Sequence, residues 1–415
     1  MKWPSCFLAF ATCCHFSAAE DWPTWRGLRG DGSWKAPKLA AAWPEEGLRR
    51  VWKQTISPGY SGVSVAQGKV YLMDRPDKDK HGEKERVLCL DSDTGKELWS
   101  FTYAAPYGDL DYGTGPRASI TIHKGKAYGL GAVGHAFCLD AETGKQLWFK
   151  DLAKEEKAKR PFWGYAGSPL AHGEWMLYQI GAKPSGCVVA VEAATGKTAW
   201  RSGEQSAGYG PPVLIERGGR KEMVCWGPES VVGLPLGQGK EIWKIPYKVK
   251  YGVAIATPVY REGIVLVCGY WHGSKAIRLG PKLDDVALLW EEEEELRGLM
   301  SQPLYKDGYC YLLDRSHGLT CFELKTGKIH WRDGHKLTPK DRNPQASLVW
   351  VGDTNRVLAL NANGELILCE LTPAGYRELE RAQITGKTWA HPAYAGNRVF
   401  ARSDREIVCF ELPLE

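Results

Sequence analysis

The chain has 415 residues, a formal net charge of +5, 43% hydrophobic and 25% charged residues. No basic cluster is long enough to indicate a nucleic-acid partner, so we predict none. The sequence contains 12 cysteines. Disulfides form in oxidising compartments, so an export signal would decide whether these cysteines can pair.

Residues 1–19 have the pattern of an export signal, with Lys2, an apolar stretch from Phe7 to Phe16, and small residues up to Ala19. The stretch is shorter than the roughly 20 residues that a membrane span needs, so we predict no transmembrane segment. We predict a signal peptide at 1–19 and a periplasmic or secreted protein. A lipoprotein anchored at Cys13 is the alternative, although the usual Leu and small residue do not precede this cysteine.

Residues 20–47 form an extension ahead of the repeats described below. Its segment DWPTWRGLRGDGSW (Asp21–Trp34) is too rich in Trp and Gly for a disordered tail. We expect the extension to pack on the domain that follows. The sequence leaves open whether it covers a channel or an outer rim.

From Leu48 onward, one pattern returns at intervals of about 41 to 52 residues, which predicts a repeat fold. In the copy VLCLDSDTGKELW (87–99), side chains alternate from Val87 to Asp91, a tight turn follows at Thr94 and Gly95, and a second strand ends at Trp99. A further strand pair precedes each such hairpin, and four antiparallel strands make a propeller blade. The Trp residues that end the copies are Trp52, Trp99, Trp148, Trp200, Trp243, Trp290 and Trp331, with Leu379 at the eighth place.

The length from residue 48 to residue 415 accommodates about eight such blades. The repeat region opens with a lone Trp strand, LRRVWKQ (48–54), and ends in DREIVCFELPLE (404–415) without one. We predict that the first strand completes the last blade, because this pairing removes an open sheet edge. The predicted fold is all-β, an eight-bladed β-propeller over residues 48–415.

The repeat resembles the Trp-docking motif A-x-D-x-x-T-G-K-x-x-W of the pyrroloquinoline quinone (PQQ) repeat propellers. That family contains quinoprotein alcohol dehydrogenases and non-catalytic propellers, including a lipoprotein that helps to assemble bacterial outer membranes. The resemblance implies that each docking Trp stacks between its own blade and the next. Two copies depart from the motif, at Leu379 and in RLGPKLDDVALLW (278–290), which lacks the TGK turn. We expect weak seams there and a non-catalytic or degenerate branch of the family.

Nine cysteines follow the predicted signal, and Cys89, Cys138, Cys321 and Cys409 share one repeat position. Equivalent positions on neighbouring blades should be further apart than the limit of about 7 Å between Cα atoms for a disulfide. We therefore predict buried thiols.

Motifs for catalysis or metal binding are weak. Gly129, Gly131 and Gly134 match a dinucleotide fingerprint, but a strand follows them where that site requires a helix. We find no zinc-type histidine spacing, haem-attachment motif or G-x-S-x-G elbow. We predict no catalytic residue and no metal ligand.

The loops from each outermost strand to the next innermost strand should converge at the central channel. Aromatic faces there could stack on a flat or sugar-like ligand, and Arg117 could bind a carboxylate or phosphate. Alternatively, the aromatic side chains fill the channel and Arg117 pairs with Asp109 or Asp111. The predicted ligand-binding residues are Asp111, Tyr112, Arg117, Trp163, Tyr165, Tyr209, Tyr251, Gln302, Trp389 and His391.

The family's dehydrogenases hold their quinone between a Trp and two adjacent, disulfide-bonded cysteines, beside a calcium ion. This chain has no adjacent cysteine pair after residue 19, and its residues match neither the calcium ligands nor the catalytic base. We therefore expect no cofactor, with PQQ and calcium as the alternative. The first interpretation is a non-catalytic, monomeric exported propeller that binds a small molecule, a glycan or an envelope protein. The others are a PQQ-dependent alcohol or sugar dehydrogenase with a degenerate site and an outer-membrane assembly scaffold.

Overall fold

The computed structural model describes residues 20–77, 79–80, 82–112 and 114–415. The predicted signal peptide at 1–19 lies outside the described residues. Among the described residues, no helix combines the length and apolar character that a membrane crossing requires. This part of the chain is almost entirely β-structure, with a short helix at Leu152–Glu155 and a 3-10 turn at Lys250–Gly252.

Eight antiparallel sheets follow one another along the chain and form the blades of a propeller, which confirms the predicted fold. The strands ahead of blade 1 are β1 (Ser33–Trp34) and β2 (Arg50–Thr55). Blades 1 and 2 contain β3 (Ser64–Ala66), β4 (Lys69–Asp74), β5 (Lys84–Asp91), β6 (Glu97–Ala104), β7 (Thr121–His123), β8 (Lys126–Leu130), β9 (His135–Asp140) and β10 (Gln146–Asp151). Blades 3 and 4 contain β11 (Leu170–His172), β12 (Trp175–Gln179), β13 (Val188–Glu192), β14 (Thr198–Ser202), β15 (Val213–Arg217), β16 (Arg220–Trp226), β17 (Ser230–Pro235) and β18 (Trp243–Pro246).

Blades 5 to 8 continue the same order, and the first strand of each blade is the innermost. Blades 5 and 6 contain β19 (Val259–Arg261), β20 (Ile264–Gly269), β21 (Gly273–Leu279), β22 (Val286–Glu292), β23 (Leu304–Lys306), β24 (Tyr309–Asp314), β25 (Gly318–Glu323) and β26 (Ile329–Arg332). Blades 7 and 8 contain β27 (Ala346–Val351), β28 (Arg356–Asn361), β29 (Glu365–Thr372), β30 (Gly375–Gln383), β31 (Ala393–Ala395), β32 (Arg398–Arg402) and β33 (Glu406–Glu411). Strand β3 of blade 1 contacts both β7 and β31, so the ring is closed.

The turn that precedes each docking strand is held by its own side chains. In blade 1, the Asp91 carboxylate accepts hydrogen bonds from the Thr94 amide at 2.8 Å and the Thr94 hydroxyl at 2.7 Å. Gly95 follows with φ of +71°, a left-handed conformation that favours glycine. These bonds satisfy amides that the reversal leaves without strand partners, so the D-x-x-T-G sequence produces the turn directly.

A docking Trp from one blade covers this glycine of the next blade. Trp52 lies so close to Gly95 that an added Cβ would approach the indole to 2.6 Å. The Trp52 indole N–H also donates to the Ser92 carbonyl at 2.8 Å. Trp99 repeats both contacts in blade 2, on Gly144 and on the Ala141 carbonyl. Further indole-to-carbonyl bonds join Trp148 to Ala193, Trp290 to Leu324 and Trp331 to Thr372.

Small residues make room for these indoles in the adjacent strand. Cys89 pairs across the strands with Trp99, Cys138 with Trp148, Cys321 with Trp331 and Cys409 with Trp52. The nine cysteines of the described chain are free and buried. Burial raises the pKa of Cys89 and Cys321 to about 12, so their reactive thiolate forms are scarce at neutral pH.

Trp200, at the seam between blades 3 and 4, departs from this arrangement. Its side chain is buried and packs edge-on against Trp175 with ring centres 5.6 Å apart. Its indole N–H has no hydrogen-bond partner among the described residues. Blade 4 has no TGK turn, and no carbonyl of that blade accepts this indole N–H, in contrast to the seams of Trp52, Trp99, Trp148, Trp290 and Trp331.

We expect Trp99→Phe to cost about 1 kcal/mol more stability than Trp200→Phe, because only Trp99 has an indole hydrogen bond to lose. The two side chains are buried to similar extents, 9% and 8% exposed, so the packing losses should be comparable. Urea unfolding of both variants measures the difference. Equal losses would show that the indole hydrogen bond contributes nothing to the seam.

A buried ion pair replaces the docking turn between blades 4 and 5, where a weak seam was expected. The Arg217 guanidinium donates to Glu222 at 2.6 Å, and the two side chains are only 3% and 2% exposed. Its other nitrogens donate to three backbone carbonyls in the blade 5 turn, residues 280–283. The Trp243 indole N–H points at the same carboxylate at 3.5 Å. Blades 4 and 5 are thus connected by a cation that binds carbonyl groups.

The beginning of the repeat region closes the ring, as predicted. Strand β2 pairs antiparallel with β33, placing Trp52 opposite Cys409 in blade 8. Arg402, 1% exposed, connects this blade to blade 1 by donating to the carbonyls of Met73 at 2.7 Å and Ser57 at 2.9 Å. Burial lowers the pKa of Arg402 to about 10.

The N-terminal extension crosses the central channel, the option that the sequence left open. Strand β1 adds in parallel to β27, the innermost strand of blade 7. Trp22 pairs with Val65 of β3, and the Pro23 carbonyl accepts the Ile122 amide of blade 2. Arg26, buried beside them, donates to the Pro303 carbonyl ahead of blade 6 at 2.9 Å. Residues 20–34 therefore contact blades on several sides of the channel and fill it.

The rest of the extension covers the seam between blades 7 and 8, where Leu379 replaces a docking Trp. Leu39 forms a bridge with Leu414, and Trp43 and Leu48 pack with Leu379 against the same hydrophobic cluster. The extension thus supplies apolar contacts at the seam that lacks the eighth indole.

Candidate functional site

The long loops of the eight blades surround one open cavity of about 280 Å³. Each loop joins the outermost strand of one blade to the innermost strand of the next, and these loops all lie on one face. From blade 1 to blade 8, the lining residues just ahead of the innermost strands include Tyr60, Arg117, Trp163, Tyr209, Tyr251, Gln302, Arg342 and Trp389. The ring geometry therefore concentrates side chains distant in sequence at the channel mouth.

The floor of the cavity comes from the N-terminal segment. Trp25 lines the cavity, and its indole N–H donates to the Thr257 hydroxyl at 3.0 Å. Its ring lies 4.3 Å from the ring of His391, centre to centre. Because residues 20–34 occupy the channel beneath, the cavity is a pocket and not the mouth of a pore.

Aromatic rings form two walls. The first is a continuous series of ring contacts, with centres 5.8 to 6.3 Å apart, through Tyr60, Trp389, Tyr112, Trp163 and Tyr209. The second comes from the blade 5 region, where Trp271 lies between Tyr251 at 5.6 Å and Tyr270 at 4.3 Å. Tyr112 and Tyr251 are 42% and 64% exposed, so the walls reach the solvent.

Two aromatic residues of the rim have an unusual backbone. Tyr112 has φ of +50° and Tyr251 has φ of +57°, a region that bulky residues rarely adopt. Such a conformation costs of order 1 to 3 kcal/mol and is concentrated at functional sites.

The charged groups of the cavity are positive. Arg117 and Arg342 line it, and no Asp or Glu does so among the described residues. Arg117 donates to the carbonyls of Gly115, Asp111 and Tyr112, so it binds its own loop through backbone oxygens. Burial lowers the pKa of its guanidinium below the usual range.

Eight of the ten predicted binding residues line the cavity: Tyr112, Arg117, Trp163, Tyr209, Tyr251, Gln302, Trp389 and His391. Asp111 stands at the rim, where its carboxylate accepts the Trp163 indole N–H at 3.1 Å. Tyr165 is 1% exposed and lies in the core between blades 2 and 3, with its hydroxyl donating to the Ile180 carbonyl. Asp109 pairs with Arg160, so the expected pairing of Arg117 with either carboxylate is absent.

A family profile described as outer membrane protein assembly factor BamB matches residues 83–333, from blade 1 through blade 6. The chain belongs to this PQQ-like repeat family. No curated protein sequence matches it significantly.

Solved structures with the same fold have diverse functions. BamB from Moraxella catarrhalis shares 14% identity at a TM-score of 0.61, covering 88% of this chain and 100% of its own. Quinohemoprotein alcohol dehydrogenase from Comamonas testosteroni shares 14% identity at a TM-score of 0.67, with coverage of 94% and 80%. The computationally designed Ika8 protein shares 12% identity at a TM-score of 0.54, with coverage of 86% and 98%. At these identities, the likeness shows the fold alone.

The cavity of this PQQ-like repeat protein does not fit a calcium-bound quinone. Among the described residues, no group of three or more His, Cys, Asp or Glu side chains could hold a metal ion. The lining residues offer no carboxylate to calcium, and residues 20–415 contain no adjacent cysteines. Gln302 is 3% exposed, and its amide already accepts the Thr257 N–H and donates to the Met300 carbonyl.

Several lining residues were not predicted from the sequence: Trp25, Tyr270, Trp271, Arg342 and Asn343. Tyr270 and Trp271 lie in the turn between β20 and β21, which faces the same side as the long loops. The Tyr270 hydroxyl donates to the Arg342 carbonyl at 2.7 Å and fixes that loop. The segment YWHG (270–273) could have indicated this contribution, because a turn rarely needs two large aromatic residues.

His391 is held neutral beside Trp25. Burial, with the nearby Arg26 cation, lowers the pKa of His391 to about 3. In the unfolded chain its pKa is near 6.5. Only the unfolded state therefore binds a proton between pH 6.5 and pH 3, so stability falls as the pH is lowered through this window.

The native protein should lose unfolding free energy when the pH is lowered from 7 to 4. In His391→Asn we expect this loss to be smaller by about 2 kcal/mol. Urea unfolding at both pH values measures it. The matched control is His272→Asn, since His272 is exposed on the same face. An unchanged pH dependence in His391→Asn would contradict the assignment of a neutral His391.

Proposed function

We propose that this propeller is an exported binding protein that holds a small ligand in the aromatic cavity of its loop face. The supporting observation is that all eight blades contribute side chains to one open pocket whose floor the protein's own N-terminal segment closes. Binding sites are concave, mostly apolar and carry a few polar groups, and this cavity has that composition.

The strained tyrosines of the rim also favour binding over simple channel filling. A channel filler would gain nothing from presenting Tyr251 at 64% exposure on a left-handed backbone. A glycine at this exposed position would adopt the left-handed backbone without strain and would lose no packing contacts. Export to the periplasm or outside the cell belongs to the same proposal and rests on the signal pattern of residues 1–19.

A scaffold for envelope proteins is the second candidate. Phe162 is 63% exposed at the rim beside Trp163, and exposed aromatic residues suit a protein partner. The structural likeness to BamB is compatible with this role. A dehydrogenase role is less well supported, since the cavity offers no calcium ligands.

The test compares the native protein with Trp389→Ala and, as a control, Leu147→Ala, which alters an exposed leucine on an outer strand. Melting temperatures are measured with a deproteinised low-molecular-weight fraction of an envelope extract and, separately, with PQQ and calcium. A dye-linked assay tests for alcohol oxidation in the presence of PQQ and calcium. We expect the extract to stabilise the native protein and the Leu147 variant, but not the Trp389 variant. Dye reduction in the presence of PQQ and calcium would support the dehydrogenase function. If neither the extract fraction nor PQQ with calcium stabilises the protein, the ligand-binding function is contradicted and the scaffold function is the remaining candidate.

A further inference from the structure

The cavity contains cationic groups that the protein itself leaves without anionic partners. Neither Arg117 nor Arg342 forms an ion pair with a carboxylate within the described chain. Arg342 is exposed, and the neighbouring Asp341 carboxylate accepts its backbone N–H. Asp111, the other carboxylate of the rim, accepts the amide of Tyr112 and the indole N–H of Trp163. The electrostatics therefore favour an anion.

A buried network holds Arg117 in place at the cavity wall. The guanidinium groups of Arg75 and Arg117 lie 3.9 Å and 5.8 Å from the centre of the Tyr107 ring. The Tyr107 hydroxyl donates a hydrogen bond to the Glu85 carboxylate at 2.6 Å. Glu85 is 0% exposed, so it favours the charged form of Arg117 but cannot be reached by a ligand. The guanidinium is thus fixed in place before any ligand arrives.

The size and shape of the cavity limit the apolar part of the ligand. At about 280 Å³, it is at the lower end of small-molecule sites, with room for one or two rings. The two aromatic walls offer flat faces for stacking, and their exposed upper ends allow a longer ligand to continue into the solvent. Asn343 and the hydroxyls of Tyr112 and Tyr251 can bond to hydroxyl groups at the mouth.

We propose that the cavity binds the terminal acidic sugar of a glycan, a pyranose that carries a carboxylate. The ring stacks on the aromatic walls, the carboxylate binds the guanidinium of Arg342 with Arg117 beside it, and the remaining chain leaves through the mouth. A guanidinium matches a carboxylate with two parallel hydrogen bonds, which a neutral sugar cannot supply. This inference rests on the proposed function and specifies its ligand.

The test is isothermal titration with trigalacturonate and sialyllactose, their neutral counterparts galactotriose and lactose, and a hexaglutamate peptide. We expect each acidic sugar to bind at least about tenfold more tightly than its neutral counterpart, with affinity falling as salt rises. Arg342→Gln should remove this preference without changing the melting temperature, because the side chain is exposed. The matched control, Arg377→Gln on the outer strand β30, should change neither.

Equal affinities for acidic and neutral sugars, binding of hexaglutamate alone, or no binding of any probe would each overturn the acidic-sugar assignment. Retention of the preference in Arg342→Gln would also overturn it. If these probes fail while the envelope fraction still stabilises the native protein and not Trp389→Ala, only the ligand class is wrong. If both experiments fail, the proposed binding function is wrong as well.

Discussion

Replacing Arg217 with methionine is expected to lower the free energy of unfolding by about 3 to 5 kcal/mol. Glu222 would remain as a buried carboxylate without its cation, and three carbonyls of the blade 5 turn would lose their donors. The effect should be larger than for an exposed pair, because water cannot solvate the remaining charge. Urea unfolding at pH 7 measures it.

The matched comparisons are a double variant and an exposed pair. Arg217→Met combined with Glu222→Leu should recover most of the loss, since replacing both members of a buried pair by apolar residues is often neutral or stabilising. Arg377→Met, which breaks an exposed pair with Glu370, should cost about 0 to 1 kcal/mol. A single Arg217 variant as stable as the native protein would show that the seam does not depend on this cation.

Trp34→Ala is expected to cost about 3 to 5 kcal/mol and to release the segment 20–34 from the channel. Trp34 is 1% exposed, stacks on Tyr394 at 5.1 Å and donates its indole N–H to the Glu20 carbonyl at 3.1 Å. Its removal leaves a cavity at the point where β1 joins blade 7. Urea unfolding gives the cost, and limited proteolysis detects the release.

Trp43→Ala is the control, because Trp43 is only partly buried and lies outside the channel. It should cost about 1 to 2 kcal/mol and leave residues 20–34 protected from protease. If both variants lose similar amounts of unfolding free energy and neither is newly cleaved between residues 20 and 34, then Trp34 does not hold this segment in the channel.

The fold was predictable because its information is local and repeated. The D-x-x-T-G turn, the alternating strands and the terminal Trp recur in several copies at intervals of about 41 to 52 residues, so each such copy specifies the same hairpin independently of the rest of the chain. The pairing of β2 with β33 was also predictable, since an incomplete unit at each end suggests that the two halves complete each other.

The exceptions were not predictable, because they depend on contacts between distant residues. Nothing in the repeat pattern indicates that Arg217 binds the blade 5 turn, or that residues 35–48 cover the seam at Leu379. The two-residue β1 is too short for a periodic signal. Its position depends on contacts with several blades at once.

The site was predictable to the extent that it lies in the interblade loops. Trp163, Tyr209 and Trp389 lie in those loops and line the cavity, but position in a loop does not determine which way a side chain points. Tyr165, two residues from Trp163, points into the core. Trp25 lies 138 residues before Trp163 in the sequence, and only the folded channel brings it to the floor of the cavity.

The pairing of β2 with β33 has a consequence for how the molecule is made. Strand β2 (residues 50–55) has no strand to pair with until residues 406–411 have been synthesised, near the end of translation. Contacts of such long sequence separation form late and slow the overall folding rate. Until then, the ends of the unfinished ring expose apolar sheet surface, which is prone to aggregation.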